Sequence, residues 1–222
     1  MIDCIEICKN IFILTVLIKV INKFPYLRKY DNDIKFSIYR SFICISLAIM
    51  GLDVFTNNFV NGFSHPFSFK NGLMSEIYQL FFAYLLVDVI YMIATKCKRI
   101  DLYGHHIMCL GALIISHFTN KFGYIHSIVL IAEILSAVSG VDNMAMNDND
   151  MVTSLQCKKI RRNIIRYIRY PIWIILFLFT IRYSNKTPSL LWYNLLVSSI
   201  VMTKMDQFWE KKCEKIIAKY EK

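Results

Sequence analysis

Seven long, mostly apolar blocks follow one another along the chain, at 5–21, 36–56, 77–95, 105–119, 124–141, 170–183 and 189–205. A helix needs roughly 20 apolar residues to cross a bilayer. Inside the hydrocarbon every backbone polar group must be paired, which leaves helices as the natural solution. The pattern therefore predicts an all-α polytopic membrane bundle with six or seven transmembrane helices. The first block is the ambiguous one. Its strictly apolar core is only 11–18, and Lys9 and Lys19 would snorkel to opposite surfaces. Asp3 and Glu6 stand where a signal peptide would be basic, and no small-residue cleavage site follows. If this block lies on the membrane, six spans remain. Pro25, the group Gly62, Pro66 and Gly72, the run 147–150 and the run 185–188 punctuate the connections. The expected organisation is a membrane segment with a basic linker (1–34), a transmembrane domain (35–205) and a basic amphipathic tail (206–222).

Composition agrees with that picture: 56% of the 222 residues are hydrophobic and the mean hydropathy is +0.43. A net charge of +10 is compatible with nucleic acid, but its distribution argues for membrane topology. Of the 26 Lys and Arg, 21 fall in 19–40, 96–99, 158–169 and 204–222, which are alternate connections and the tail. The positive-inside rule then places those segments and the C-terminus in the cytosol, with the N-terminus outside. The expected location is the endoplasmic reticulum or another endomembrane, with lipids as partners, no nucleic acid, and an oligomer through the membrane helices as an option. Abundant Ile, Asn, Lys, Tyr and Phe with little Ala suggest an A/T-rich genome, protist or viral; in the viral case the membrane would be the host's. Seven scattered cysteines without a C-x-x-C motif indicate neither a zinc site nor a disulfide framework. Cys97 and Cys213, near membrane ends among lysines, are candidates for S-acylation. The sequon Asn185-Lys186-Thr187 is followed by Pro188 in a short loop and reads as a chance match.

Candidate chemistry concentrates around His105 and His106. Asp101 lies four residues before His105, on the same helical face, where its carboxylate would accept the Nδ1 proton and leave Nε2 to act. Adjacent helical positions are about 100° apart, so one histidine would serve as base or nucleophile and the other as its hydrogen-bonding partner. The alternative is a polar pair at the membrane interface, bonded to headgroups or Asp101. Glu133 sits in the apolar run 128–135, where a carboxylate is costly and marks a site. Its helical face would include Ser136, Ala137 and Gly140, with Ser136 and Gly140 suited to close packing. Asp88 with Tyr84 and Tyr91 makes a second polar stripe, expected to meet His105 and Glu133 in one cavity. Arg40 and Asp53 read as interfacial. His65, His117 and His126 fall on segments assigned to the opposite side, without a histidine-box pattern, so no metal is expected. Between 157 and 170, Lys158, Lys159, Arg161, Arg162, Arg166 and Arg169 alternate with Ile160, Ile164 and Ile168, as in a helix attached to anionic headgroups or docking CoA phosphates. Trp209, Cys213, Ile216, Ile217 and Tyr220 share a face, which would lay the tail on the membrane surface.

His105-His106, then Ser116 and Asn120, then Glu133 and Ser136, preceded by Tyr84, Asp88 and Tyr91, resemble the diagnostic stretch of the TLC-domain family. That family includes the ceramide synthases and the translocating-chain-associated membrane proteins. The resemblance covers roughly 35–205. Ceramide synthases carry two aspartates three residues apart where this chain has Glu133 and Ser136, so the likeness points to the other members. It implies either a non-catalytic protein that binds lipid or influences membrane composition, or an acyl-CoA-dependent N-acyltransferase. On the enzymatic reading His105, His106, Glu133, Asp88 and Asp101 are the catalytic candidates, and acyl-CoA is a substrate with no resident cofactor. Tyr84, Tyr91 and Ser136 would contact lipid, and Lys158, Lys159, Arg161 and Arg162 a headgroup or CoA phosphate. A role in protein translocation rests on family membership alone.

Overall fold

The structure, a computed structural model, describes residues 3–65, 72–119 and 123–221. Pro66, Lys70, Asn120, Lys121 and Lys222 lie outside them. The described residues are helical throughout, without a strand. Side-chain caps set three of the helix starts: Asp3, Asp31 and Asp150 accept from the N–H groups of Ile5, Ile34 and Thr153, each satisfying a donor without an intrahelical partner. Helix α1 is Cys4–Lys23, α2 Asn32–Asn57, α3 Phe59–Ser64, α4 Gly72–Ala94 and α5 Ile100–Phe118. The next span runs through α6 (Ile125–Ile131), a 3-10 stretch (Ala132–Val138) and α7 (Ser139–Asn147). After a short turn come α8 (Met151–Ile164), a π turn (Ile165–Arg169) and α9 (Tyr170–Arg182), then α10 (Ser189–Tyr220).

Among the described residues four segments are long and apolar enough to cross a membrane: Asn32–Asn57, Gly72–Ala94, Ile125–Asn147 and Met151–Arg182. Connectivity makes α5 and α10 run the length of the bundle as well. Tyr124, just before α6, donates to the carbonyl of Phe55 near the end of α2, whereas Tyr91 near the end of α4 donates to the carbonyl of Asn32 at the opposite end of α2. The chain between α4 and α6 must therefore traverse the bundle. Likewise Tyr183, after α9, donates to Phe63 at the far end, while Trp209 on α10 lies beside Asp101 at the near end.

The helices close into a ring, α2–α4–α5–α10–(α8, α9)–(α6, α7)–α2, with α1 outside against α4 and α2. On α1 the buried stripe is Ile7, Leu14 and Ile21, seven residues apart. The helix is 20 residues long, about 30 Å, enough to accompany its neighbours across the hydrocarbon. Two glycines let α2 approach the 125–147 span closely. A Cβ on Gly51 would lie 2.8 Å from the carbonyl oxygen of Ser127, and one on Gly140 would lie 2.9 Å from the Cα of Ile38.

Two expectations change here. The tail does not lie on the membrane as a separate element: α10 continues unbroken to Tyr220 and packs along α8, burying Trp209, Cys213 and Ile217. The buried Cys213 thiol is then closed to acylation in this fold. The basic segment 157–170 is likewise built into a helical hairpin with α10. Arg166 pairs with Glu210 and Glu214, Lys159 with Glu221, and Lys158 with Asp142. These contacts consume charge that the sequence alone offers to headgroups.

Candidate functional site

Helices α2, α4, α5, α7, α8 and α10, with the 3-10 and π turns, line one cavity of about 540 Å³. Its inner wall holds Tyr84, His105, His106, Glu133, Ser136 and Arg169, and its mouth carries Lys96, Lys98 and Arg99. It opens at the end of the bundle where α4 turns into α5.

Two irregular helical turns aim side chains at this space. From Ala132 to Val138 the chain makes 3-10 turns, with three residues per turn, so i, i+3 and i+6 eclipse. Glu133, Ser136 and Ser139 therefore line up on the cavity wall. This replaces the α-helical face expected to carry Ala137 and Gly140 with Glu133. Gly140 instead donates its N–H to Ser41 Oγ, and Ser41 donates to the Ser136 carbonyl. The second irregularity precedes Pro171. A proline has no N–H and clashes with the carbonyl four residues back; a π turn relieves both, with the N–H of Tyr170 reaching the carbonyl of Ile165. The turn carries Arg169 inward, where it is 3% exposed.

The two histidines meet different acids. His106 Nε2 lies 2.5 Å from Asp88 Oδ2, an ion-pair contact in which the N–H is not aimed at the oxygen. Its Nδ1 is 2.8 Å from the Leu102 carbonyl. The ring is thus held between Asp88 and the Leu102 carbonyl. Asp88, fully buried, also accepts from Arg40 Nε at 2.6 Å. His105 Nε2 lies 3.6 Å from Glu133 Oε1, and its Nδ1 faces Met202 Sδ at 3.4 Å and Cys109 Sγ at 3.8 Å. The second oxygen of Glu133 is 3.7 Å from the Cys44 thiol, itself 3.4 Å from the Tyr84 hydroxyl.

His105, His106, Glu133, Tyr84 and Ser136 are thus brought together around one space, with Asp88 against His106. Asp101 is not part of the histidine contacts. Its carboxylate takes Arg99 at 2.5 Å and the indole N–H of Trp209 at 2.9 Å, because His105 points inward while Asp101 meets α10. Tyr91 lines the mouth, stacked on Phe36 with centroids 3.5 Å apart. Of the four cations assigned to a headgroup or CoA phosphate, Arg161 lines the cavity. Lys158 and Arg161 share Asp142, and Lys159 faces Glu221. Arg162 is not among the lining residues, and its enclosed Nε has no partner among the described residues.

Sequence reasoning overlooked several participants. Arg40, read as interfacial, holds Asp88. Arg169, read as part of a surface helix, donates from Nε to both oxygens of Asp206 at 2.9 and 3.0 Å and from Nη1 to the Ala132 carbonyl at 2.7 Å. Asp206 also accepts from Trp173 Nε1 at 2.6 Å, and the guanidinium lies over the rings of Trp173 and Trp209. A hairpin signal could have found these pairs. Arg40 lies 17 residues before Asn57 and Asp88 16 after Gly72; Arg169 lies 19 before Pro188 and Asp206 18 after it. Residues equidistant from a turn face each other in antiparallel helices. Among the described residues no group of three or more His, Cys, Asp and Glu is arranged to hold a metal ion.

The family model for the TLC domain matches residues 33–145, half of the chain, including both histidines, Asp88 and Glu133. The protein belongs to the TLC-domain family and is an integral membrane protein. No curated protein and no solved structure matches it.

Proposed function

We propose that this protein binds the polar headgroup of a membrane lipid inside its helical ring, and so acts on the distribution or composition of lipids rather than on covalent bonds. The observation that carries this reading is the cavity itself. It has about 540 Å³ of space, polar walls drawn from six helices, and a mouth at one end of the bundle. A cavity of that size is within the range of small-molecule sites, and its buried charges are the kind that mark function within a membrane. By the distribution of basic residues the mouth faces the cytosol. His106, held against Asp88 and the Leu102 carbonyl, suits a binding wall.

A second reading, acyl-CoA-dependent N-acyl transfer, draws support from one contact. Glu133 against His105 Nε2 is an acid placed to orient a histidine on the cavity wall. Purified protein given labelled acyl-CoA with a panel of long-chain amines, and separately a panel of lipids, distinguishes the two. The expected result is lipid binding altered by Glu133→Gln and by His106→Ala, with no acyl transfer by the parent. Transfer by the parent that both variants lack would establish the enzyme instead.

A further inference from the structure

The cavity wall carries cationic donors that no group among the described residues satisfies. Arg169 has given Nε to Asp206 and Nη1 to Ala132, yet its Nη2 is enclosed without a hydrogen-bond partner. Arg161, two turns earlier on the same continuous helix, also lines the cavity, and its Nε is enclosed without a partner. A buried donor left unmade costs the full desolvation of that group. Two such guanidinium donors on one cavity wall call for an acceptor that enters from outside.

Charge balance narrows the acceptor. Arg40 with Asp88, Arg99 with Asp101, Arg169 with Asp206 and His105 with Glu133 are close opposite pairs. Lys158 and Arg161 share the single carboxylate of Asp142. Lys96 and Lys98 line the mouth without an acidic partner among the described residues. Three cations remain, against Asp33 alone among the lining acids left over. That leaves a net positive wall, two charges with His105 protonated and His106 neutral and one with both neutral, which favours an anionic ligand such as a phosphoryl group. Ser136, Ser139 and Asn143 add neutral donors along the same wall.

We infer that the cavity binds a phosphoryl group, held by Arg169 and Arg161 and drawn in past Lys96 and Lys98. This rests on the headgroup reading above and gives that ligand its chemical class. The lysines act through long-range attraction, which salt screens. The arginines act through short charge-assisted hydrogen bonds, which salt weakens much less.

The test uses the full chain purified in neutral detergent, with dioleoyl phosphatidic acid, dioleoylglycerol and coenzyme A as probes. Phosphatidic acid is expected to bind at least about tenfold more tightly than dioleoylglycerol. Arg161→Gln and Arg169→Lys should each reduce that affinity about tenfold, the value of one hydrogen bond to a charged group. Arg161→Gln leaves Asp142 with Lys158 and Ser154, so it carries the test if Arg169→Lys does not fold. Coenzyme A that displaces phosphatidic acid would support the phosphoryl site and give it a soluble source; failure to displace would assign the site to lipid. Equal affinity for phosphatidic acid and dioleoylglycerol would overturn the phosphoryl proposal and leave the lipid-binding reading standing. A phosphatidic acid preference unchanged by either arginine substitution would also overturn it. No lipid bound by a folded protein would remove both.

Discussion

Replacing Asp206 with asparagine keeps the shape of the side chain and removes one charge from a deeply enclosed ion pair. Asp206 is fully buried, and Arg169 is 3% exposed. Three contacts converge on the carboxylate, two from Arg169 Nε and one from Trp173 Nε1. Asparagine offers one acceptor oxygen where the native side chain offers two, and it leaves the guanidinium without a countercharge. Breaking a buried pair by removing one partner costs about 3–5 kcal/mol, and each kcal/mol lowers Tm by about 2–4 °C for a chain of this size. Asp206→Asn should therefore lower the unfolding midpoint in detergent by about 6–20 °C, and Arg169→Met should do the same. The double variant Arg169→Met, Asp206→Leu should recover most of the loss, because exchanging a buried ion pair for apolar residues of similar volume is often neutral or stabilising. The measurement is a double-mutant cycle on thermal unfolding, with the coupling between the two sites as its readout. Single variants within about 1 kcal/mol of the parent, combined with an additive double, would show that the pair is not a buried ion pair and would refute the reasoning.

The contact between the 24–31 linker and the α7–α8 turn should be sensitive to acid. Hydrogen bonds from Lys29 and Tyr30 hold Asp148 down at a pKa of about 2. A folded-state pKa below the unfolded value contributes stability that is present above the unfolded carboxylate range, about pH 4, and is lost as pH falls through the folded value. The unfolding midpoint should accordingly fall between about pH 4 and pH 2, and Asp148→Asn should flatten that part of the profile; a variant with the parent's acid slope would exclude this tie. Membrane orientation follows from the basic residues. A tag after Lys222 should be digested in sealed microsomes and a tag within 57–72 protected, and the reverse pattern would invert the arrangement.

Hydrophobic runs and their punctuation determined much of the fold, because a bilayer punishes every unpaired backbone group and every exposed charge alike. Blocks such as 36–56 and 77–95 could only be helices, and they reappear within α2 and α4. Paired histidines and a glutamate inside such blocks were legible as a candidate site for the same reason: their cost has to be offset by function or by a partner. What periodicity along one helix leaves open is the identity of that partner on another. Asp101 is the nearest acid to His105 in sequence, yet α10 claims it, and Glu133 comes instead from a neighbouring span. Arg40 and Arg169 sit near span ends and look wet in one dimension; hairpin pairing buries them against Asp88 and Asp206. The 3-10 turns at Ala132–Val138 and the π turn before Pro171 were also decided in three dimensions. They respond to close packing and a missing N–H, and they rotate Glu133, Ser139 and Arg169 onto the cavity wall where a regular helix would have presented other residues.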